Sequence, residues 1–173
     1  MSLGVGNMTS KLLLITNLGM AHRSGFVNII GNPNVGKSTL MNQLVGEKLS
    51  IITSKAQTTR HRIMGIVNGE DFQIVYSDTP GILKPNYKLQ EKMMKFVRGA
   101  ITDADVLLYV TDTVEDSDRS AEIIEKVRMS GIPTIVVINK VDVSNPEKLT
   151  ALVEKWQAWL PEAVAAPCSA KEK

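Results

Sequence analysis

The chain is organised around one stretch, Gly31-Asn32-Pro33-Asn34-Val35-Gly36-Lys37-Ser38-Thr39. An apolar run rich in β-branched residues precedes it at 26–30, and an amphipathic segment follows it at 40–45, so it lies where a strand turns into a helix. In this context Gly-x-x-x-x-Gly-Lys-Ser is the phosphate-binding P-loop. Its glycines let the backbone turn tightly and aim successive N–H groups at a polyanion. The sequence therefore predicts a phosphate site here.

The polar groups of the P-loop have expected partners on a nucleotide. We expect Lys37 to reach the β- and γ-phosphates and Ser38 to offer its hydroxyl to Mg²⁺. The N-terminus of the following helix adds a partial positive charge. A glycine-rich turn with a solvated lysine is the alternative, and the strand before and the helix after argue against it. We predict that the nucleotide binds along the run Asn34, Val35, Gly36, Lys37, Ser38 and Thr39.

Composition and charge limit the possible classes of protein. The 173 residues are 43% hydrophobic and 22% charged, which indicates one compact globular domain. A net charge of +2 falls short of the strongly basic balance of a dedicated nucleic-acid binder. Cys168 is the single cysteine, which excludes an internal disulfide framework and fits a reducing, cytoplasmic setting.

Strand and helix patterns alternate along the chain. Asn68-Gly69 is a tight-turn signal between two strand patterns, which predicts an antiparallel hairpin. Buried-strand patterns follow at 105–111, 133–138 and 164–166, separated by helical stripes, and the last stripe places Trp156 and Trp159 in the core. We predict an α/β fold of the P-loop NTPase type. Its six-stranded sheet is mostly parallel with one antiparallel edge strand, has helices on both faces, and binds ligands at the carboxyl ends of its strands.

The hairpin is flanked by two candidate sites for the γ-phosphate and Mg²⁺. Asp78-Thr79-Pro80-Gly81 ends its second strand, where we expect Asp78 to orient Mg²⁺ and the Gly81 N–H to meet the γ-phosphate. A simple turn is the alternative. Before the hairpin, Thr58 or Thr59 would coordinate Mg²⁺ only when a γ-phosphate is present, which would make that loop a switch. An ordinary surface pair of threonines is the alternative there.

Asn139-Lys140-Val141-Asp142 predicts which base is bound. The Asp142 carboxylate accepts hydrogen bonds from N1–H and the 2-amino group of guanine, whereas adenine has an acceptor at N1. Discrimination of order 10⁴-fold or more follows, because adenine would leave the carboxylate unpaired. We expect Asn139 to hold neighbouring loops and the base edge together and Lys140 to lay its stem along the purine.

A final polar segment completes the predicted base site. Ser169, Ala170 and Lys171 would offer backbone N–H groups to the guanine O6. Cys168, directly before them, is interpreted as a small neighbour of the base rather than a nucleophile.

Together these motifs resemble the G1, G3, G4 and G5 boxes of translation-factor-class GTPases. Residues 54–62, Ser-Lys-Ala-Gln-Thr-Thr-Arg-His-Arg, closely resemble switch I of the Era family, GTPases that assist small-subunit ribosome assembly. The match covers residues 24–171. The resemblance implies hydrolysis of GTP to GDP and phosphate, with Thr59 as the switch I ligand of Mg²⁺ and Thr58 as second choice. The metal ligands are then Ser38, Thr59 and Asp78, and the residues assigned to catalysis are Lys37, Thr59, Gly81 and Asn34.

Two positions bear on the rate of hydrolysis. Ile82 stands where Ras-like proteins place the glutamine that orients the attacking water, so hydrolysis is expected to be slow or to be completed by another group. Asn34 resembles the P-loop asparagine by which some related GTPases hold K⁺ against the phosphates. A monovalent cation there would stabilise developing charge much as an arginine finger does.

The resemblance also predicts the domain organisation. Residues 1–22 are interpreted as an N-terminal extension or leader, with Met20 a candidate natural start, and residues 23–173 as an Era-type G domain. Era proteins continue into an RNA-binding KH domain with a Gly-x-x-Gly loop. The sequence contains no Gly-x-x-Gly, so we interpret it as a G domain truncated after the G5 box.

The partners and location are implied in the same way. The full-length protein would bind the small ribosomal subunit and its rRNA through the KH domain, in the cytoplasm, with a peripheral contact at the inner face of the cell membrane. The G domain is expected to be monomeric. Arg60, His61 and Arg62 could touch RNA or a partner, but basic groups on an edge strand more often form a solvated face.

Three alternatives stay open. The first is a related ribosome-assembly or tRNA-modification GTPase with other appended domains, against which residues 53–62 argue. The second is a nucleotide-dependent interaction module with negligible turnover, which Ile82 favours. The third is an ATP-using P-loop enzyme, which would require the base motif at 139–142 to be accidental.

Overall fold

The computed structural model describes residues 23–46, 62–83, 85–86, 88–114 and 121–172. Its first two elements flank the P-loop, as the sequence predicts: strand β1 (Arg23–Gly31) and helix α1 (Lys37–Val45). Helix α1 ends at Gly46, whose φ of 80° suits glycine and whose N–H donates to the Asn42 carbonyl. The P-loop is therefore held between two regular elements.

The remaining elements alternate between strand and helix. The other strands are β2 (Ile63–Asn68), β3 (Phe72–Asp78), β4 (Val106–Asp112), β5 (Thr134–Asn139) and β6 (Val164–Pro167). The other helices in the described residues are α2 (Lys88–Thr102), α3 (Ala121–Ser130) and α4 (Pro146–Trp159), and a 3₁₀ turn covers Val141–Val143.

The six strands form one sheet in the order β2-β3-β1-β4-β5-β6. Strand β2 is an antiparallel edge strand, and its hairpin with β3 is closed by the Gly69 N–H donating to the Phe72 carbonyl at 2.8 Å. All the other pairs are parallel. The predicted fold class is confirmed. The strand order reverses beside β1, so the crevice in which such sheets bind ligands opens at the P-loop.

Apolar side chains cover both faces of the sheet. Helix α1 packs over β1, β2 and β3 on one face, while side chains of α2, α3 and α4 fill the other. Trp156 is buried, with its ring centroid 5.0 Å from that of Tyr109 and 5.1 Å from that of Trp159. The prediction that both tryptophans belong to the core is confirmed, with Trp159 packing at its margin.

The apolar stripe of α2 is rotated from its expected position. The recurrence of Leu89, Met93, Phe96, Val97 and Ala100 at helical spacing predicts one apolar stripe, yet Leu89 and Phe96 are 42% and 37% exposed. The face that meets the sheet instead carries Met93, Met94, Val97, Ala100 and Ile101. Within the residues the structure describes, no helix is long and apolar enough to cross a lipid bilayer.

Candidate nucleotide-binding site

The P-loop backbone follows a path that only small side chains permit. Gly31 and Gly36 have φ of 146° and 99°. A Cβ on Gly31 would overlap the Val110 carbonyl of β4, and one on Gly36 would overlap Nδ2 of Asn139. Gly36 is also the N-cap of α1, where no side chain caps the helix, and the N-terminus of a helix favours an anion. The loop is shaped for a close-lying anion.

Lys37 and Ser38, the first residues of α1, connect the helix to its surroundings. Lys37 is buried, and its Nζ donates to the Asn32 carbonyl at 2.8 Å. Ser38 Oγ donates to Asp78 Oδ2 at 2.7 Å, although the two residues are 40 positions apart. Thr39 follows in the same turn and is half-buried. The structure thus brings together the hydroxyl and the carboxylate that the sequence predicted separately.

This pair fits a hard divalent cation. Hydroxyl and carboxylate oxygens are ligands that Mg²⁺ prefers, and Mg²⁺ in nucleotide sites is shared between one or two protein oxygens and the phosphates. Ser38 would supply the first oxygen, and Asp78, which is buried at the end of β3, would supply the second. The third predicted ligand, Thr59, lies outside the described residues, as do Thr58, Arg60 and His61.

The segment after β3 lies against the P-loop strand. Thr79 Oγ1 donates to the Ile29 carbonyl at 2.7 Å, and the Ile82 N–H donates to the Gly31 carbonyl at 3.0 Å. Ile82 is 4% exposed and packs in the core with Met94. The side chain at this position therefore points away from the site. The sequence analysis did not predict that Thr79 joins this segment to β1. The only signal in the sequence was its position directly after Asp78.

Gly81 lies in direct contact with the P-loop. A Cβ at this position would be 2.8 Å from the backbone nitrogen of Pro33. The structure therefore places Gly81 beside the P-loop, and the contact of its N–H with the γ-phosphate stays a prediction.

Asn139 joins three loops at the carboxyl edge of the sheet. Its Nδ2 donates to the Val35 carbonyl at 2.8 Å, across 104 residues, and its Oδ1 accepts from the Ala170 N–H at 2.9 Å. The Cys168 thiol lies 3.9 Å from the same oxygen. The geometry matches the loop-joining role expected of Asn139. The Ala170 N–H, predicted to face guanine O6, is donated to Asn139 in this structure.

Lys140 crosses from β5 to the P-loop. Its backbone is left-handed, with φ of 62°, and its Nζ donates to the Asn34 carbonyl at 2.7 Å and to Asp112 Oδ2 at 2.6 Å. Asn34 is itself left-handed, with φ of 64°, and exposed. Sequence analysis missed Asp112. The signal was its position as the last residue of a buried strand, opposite Asn139 in the sheet register.

Asp142 and the segment at 169–171 face each other across the base end of the site. Asp142 is exposed in the 3₁₀ turn, and its Oδ1 accepts from Ser169 Oγ at 2.8 Å. Lys171 follows on the exposed side. The carboxylate is therefore accessible to a ligand and is oriented by a neighbouring hydroxyl.

Cys168 is an unreactive neighbour of this site. Burial raises the pKa of its thiol to about 11 because the thiolate would lose its hydration. The thiol stays protonated at neutral pH, which agrees with its interpretation as a small packing residue.

Arg62 does not lie on a solvated face, so that expectation is wrong for this residue. Its Nε donates to Ser77 Oγ at 3.0 Å, its Nη1 to Asp103 Oδ2 at 3.0 Å and its Nη2 to Asn28 Oδ1 at 3.1 Å. Its side chain is 18% exposed. The guanidinium reaches inward because Ser77 and Asn28 are paired polar residues on the neighbouring strands β3 and β1.

The chain is similar to known GTPases in sequence and in fold. A family model described as 50S ribosome-binding GTPase matches residues 26–140. A structure of Era in complex with MgGDPNP and nucleotides 1506–1542 of 16S ribosomal RNA is 38% identical, with a TM-score of 0.80, covering 86% of this chain and 52% of that one. A variant of Aquifex aeolicus Era bound to GDP and AlF4⁻ is 39% identical, with a TM-score of 0.79, covering 85% and 51%.

A more distant structure shares the fold alone. The G domain of the T. maritima FeoB iron transporter is 23% identical, with a TM-score of 0.61, covering 86% of this chain and 89% of that one. The present chain spans about half the length of the two Era chains.

Proposed function

This chain belongs to the 50S ribosome-binding GTPase family, and from that premise we propose that it is an Era-type G domain that binds guanine nucleotides with Mg²⁺ and hydrolyses GTP to GDP and phosphate. The observation that carries the proposal is the position of Asn139. Its amide bonds Val35 of the P-loop and Ala170 of the last loop, so the base motif is attached directly to the phosphate motif. A nucleotide whose base meets the motif at 139–142 would therefore have the P-loop next to it.

The base end supports guanine over adenine. Asp142 is exposed to a ligand and held by Ser169, so its remaining acceptor sites can pair with the two donors on the guanine edge. Lys140 is placed along the path from the base to the P-loop by its bond to Asn34. These contacts support the roles proposed for Asn139, Lys140 and Asp142. The backbone N–H groups at Ser169, Ala170 and Lys171 stay proposed partners of the guanine O6, and that of Ala170 would have to leave Asn139 to meet it.

At the phosphate end, this chain supplies the cradle and the cation ligands. Lys37 would leave the Asn32 carbonyl to meet the phosphates, and Gly81 would present its N–H from the opposite side. When bound, Mg²⁺ would neutralise charge on the phosphates, with Ser38 and Asp78 as its protein ligands. Thr59, with Thr58 second, stays the prediction for the ligand from the loop before β2.

The hydrolytic step needs a group other than residue 82. Ile82 is buried against Met94 and offers no polar atom to an attacking water. We propose that Asn34 holds K⁺ beside the phosphates, which would add to Lys37 and Mg²⁺ the charge stabilisation that an arginine finger gives in other GTPases. The left-handed, exposed backbone of Asn34 supports this role because it places the side chain at the open edge of the loop.

The cellular role is proposed from the resemblance. The family description names the 50S subunit, whereas the Era complex, which is 38% identical to this chain, contains 16S ribosomal RNA of the small subunit. The resemblance to Era is what favours the small subunit. We propose a switch in small-subunit assembly, acting in the cytoplasm and at the inner face of the membrane. RNA binding is proposed for a KH domain of a longer protein, as the resemblance to the Era family implies. Arg62 does not argue against this, because its guanidinium bonds Ser77 and Asn28 within this domain.

Phosphate release from GTP under multiple turnover, with Mg²⁺, in potassium and then in sodium, tests the proposal. We expect turnover to rise roughly a hundredfold in potassium, the size of effect that one preorganised charge-stabilising group has. The matched variant is Asn34→Gly, which keeps the left-handed backbone and removes the amide. It should lose the potassium effect and retain GDP binding. Equal turnover in the two salts would contradict the role of K⁺.

A second candidate function is a nucleotide-dependent interaction module, favoured by the burial of Ile82. Tight GTP binding without turnover in either salt would support it. Binding of ATP as tightly as GTP would support the third alternative, an ATP-using enzyme. Xanthosine nucleotide binding by Asp142→Asn would exclude that enzyme.

A further inference from the structure

Asp112 is a buried carboxylate that the base motif does not include. It is the last residue of β4, is 7% exposed, and pairs with Asn139 in the sheet register. Its Oδ2 lies 2.6 Å from Lys140 Nζ, and its Oδ1 accepts from the Val114 N–H at 3.0 Å. Both carboxylate oxygens are thus engaged, which holds the side chain in one orientation.

The ammonium of Lys140 has two partners that lie on different elements. One is Asp112 at the end of β4, and the other is the carbonyl of Asn34 in the P-loop. Lysine carries a flexible stem and a point charge, so its course is determined by what anchors the ammonium. The carboxylate side chain is 10% exposed, so this ion pair is shielded from water more than an ordinary surface pair.

We propose that Asp112 is a positioning residue for guanine-nucleotide binding, acting by holding Lys140 along the purine and by keeping Lys140 on the Asn34 carbonyl. The proposal rests on the function proposed above. Without the negative charge of Asp112, the Lys140 ammonium would lose its anchor. The aliphatic stem of Lys140 would no longer be held along the purine, and the Asn34 carbonyl would lose a hydrogen-bond donor. The base contact and the P-loop would both weaken, before any chemistry.

This role predicts a specific kinetic pattern. Asp112→Asn keeps the size of the side chain and an acceptor for Val114 and removes the charge. GDP and GTP should both bind about tenfold to a hundredfold more weakly, the range expected for a hydrogen bond to a charged group. KM for GTP should rise by a similar factor while kcat changes little, because ground state and transition state lose the same interaction.

The test is calorimetric titration of GDP into the whole chain with Mg²⁺, using a double-mutant cycle. The variants are Asp112→Asn, Lys140→Ala and both together. If Asp112 acts through Lys140, the double variant should bind GDP as Lys140→Ala does. Asp105→Asn is the matched control: it lies just before the other end of β4, where its carboxylate accepts from the Phe26 N–H, and it should leave GDP affinity unchanged.

The outcomes separate this inference from the proposed function. Failure of the unaltered chain to bind GDP would contradict the proposed function itself. GDP binding by Asp112→Asn equal to that of the unaltered chain would overturn the positioning role alone. So would additive losses in the double variant, or a lower melting temperature of Asp112→Asn with unchanged GDP affinity.

Discussion

The P-loop has a neighbour on each side, and the two are attached to it by different means. On the base side a side chain joins the loops, because Asn139 Nδ2 donates to the Val35 carbonyl across 104 residues. On the phosphate side, hydrogen bonds from the Ser38 and Thr79 hydroxyls are joined by a backbone hydrogen bond from the Ile82 N–H to the Gly31 carbonyl, and the Ile82 side chain is buried beneath it. The base side depends on a few polar atoms, and the phosphate side adds apolar volume to such contacts.

This difference predicts how each side fails. Deleting a polar side chain on the base side leaves buried groups unsatisfied, and that cost cannot be recovered by repacking. A backbone hydrogen bond on the phosphate side survives most substitutions, but its position depends on the packing beneath it. Nucleotide affinity should therefore be most sensitive on the base side and protein stability on the phosphate side.

The largest expected effect is a change of base at Asp142. Asp142→Asn replaces an acceptor-only group with one that also donates, so the affinity for GDP should fall by of order 10⁴-fold and xanthosine diphosphate should become the preferred ligand. Competition titration of the two nucleotides measures this. Ser169→Ala, which removes only the hydroxyl that orients the carboxylate, is the control and should keep guanine preference. Unchanged preference in Asp142→Asn would contradict the assignment of the base motif.

Asn139→Ala should lower both protein stability and nucleotide affinity. It leaves the Val35 carbonyl and the Ala170 N–H without this partner, at roughly 1–3 kcal/mol for each buried group. We expect a lower melting temperature and weaker GDP binding together. The control is Asn145→Ala, which removes the N-cap of α4 and should cost about 1 kcal/mol of stability while leaving GDP affinity unchanged. If Asn139→Ala lost stability but kept its GDP affinity, the base side of the P-loop would not be the side on which nucleotide affinity depends.

Ile82→Ala tests the phosphate side. Truncating this 4% exposed side chain should cost about 2–5 kcal/mol of unfolding free energy, and Ile82→Val about 0.5–1.5 kcal/mol. GDP affinity should change far less than in Asn139→Ala. Ile82→Gln should be destabilised without faster turnover, because the side chain at this position faces the core. Faster hydrolysis by Ile82→Gln would show that residue 82 can face the site.

The smallest effect concerns Cys168, beside Asn139. Because burial raises the pKa of its thiol to about 11, alkylation of the folded chain at pH 8 should be about a hundredfold slower than that of the unfolded chain. Above pH 9 the unfolded chain loses this proton first, so stability should fall as pH rises toward 11. As the pH rises from 8 to 10.5, the free energy of unfolding should fall less for Cys168→Ala than for the unaltered chain. Equal alkylation rates in the two states would contradict the packing of this loop.

The fold, and the fact that several candidate site residues lie together, could be predicted because they depend on local patterns. β-branched runs, helical stripes and Asn68-Gly69 specify the elements, and strand–helix alternation then permits few topologies. Ser38 and Asp78, predicted separately as cation ligands, lie 2.7 Å apart in the structure. The residues of each motif lie within a few positions of one another, so each motif can be identified without knowing how the rest of the chain folds.

The residues that could not be predicted depend on sheet register. Asp112 matters because β4 and β5 pair it with Asn139, and Arg62 turns inward because β1 and β3 pair Asn28 with Ser77. No local pattern distinguishes these from ordinary polar residues at strand ends. Leu89 and Phe96 show the same limit for helices. Helical spacing identifies an apolar stripe, but it does not show which side of that stripe packs against the sheet.

The most direct test of the account is calorimetric titration of GDP and ADP into this chain with Mg²⁺. The connected base and phosphate loops predict that GDP binds more tightly than ADP by a factor of order 10⁴ or more, with the preference lost in Asp142→Asn, because adenine leaves a carboxylate unpaired. Equal affinity for GDP and ADP would contradict the central claim that the motif at 139–142 selects guanine at a P-loop to which Asn139 is joined.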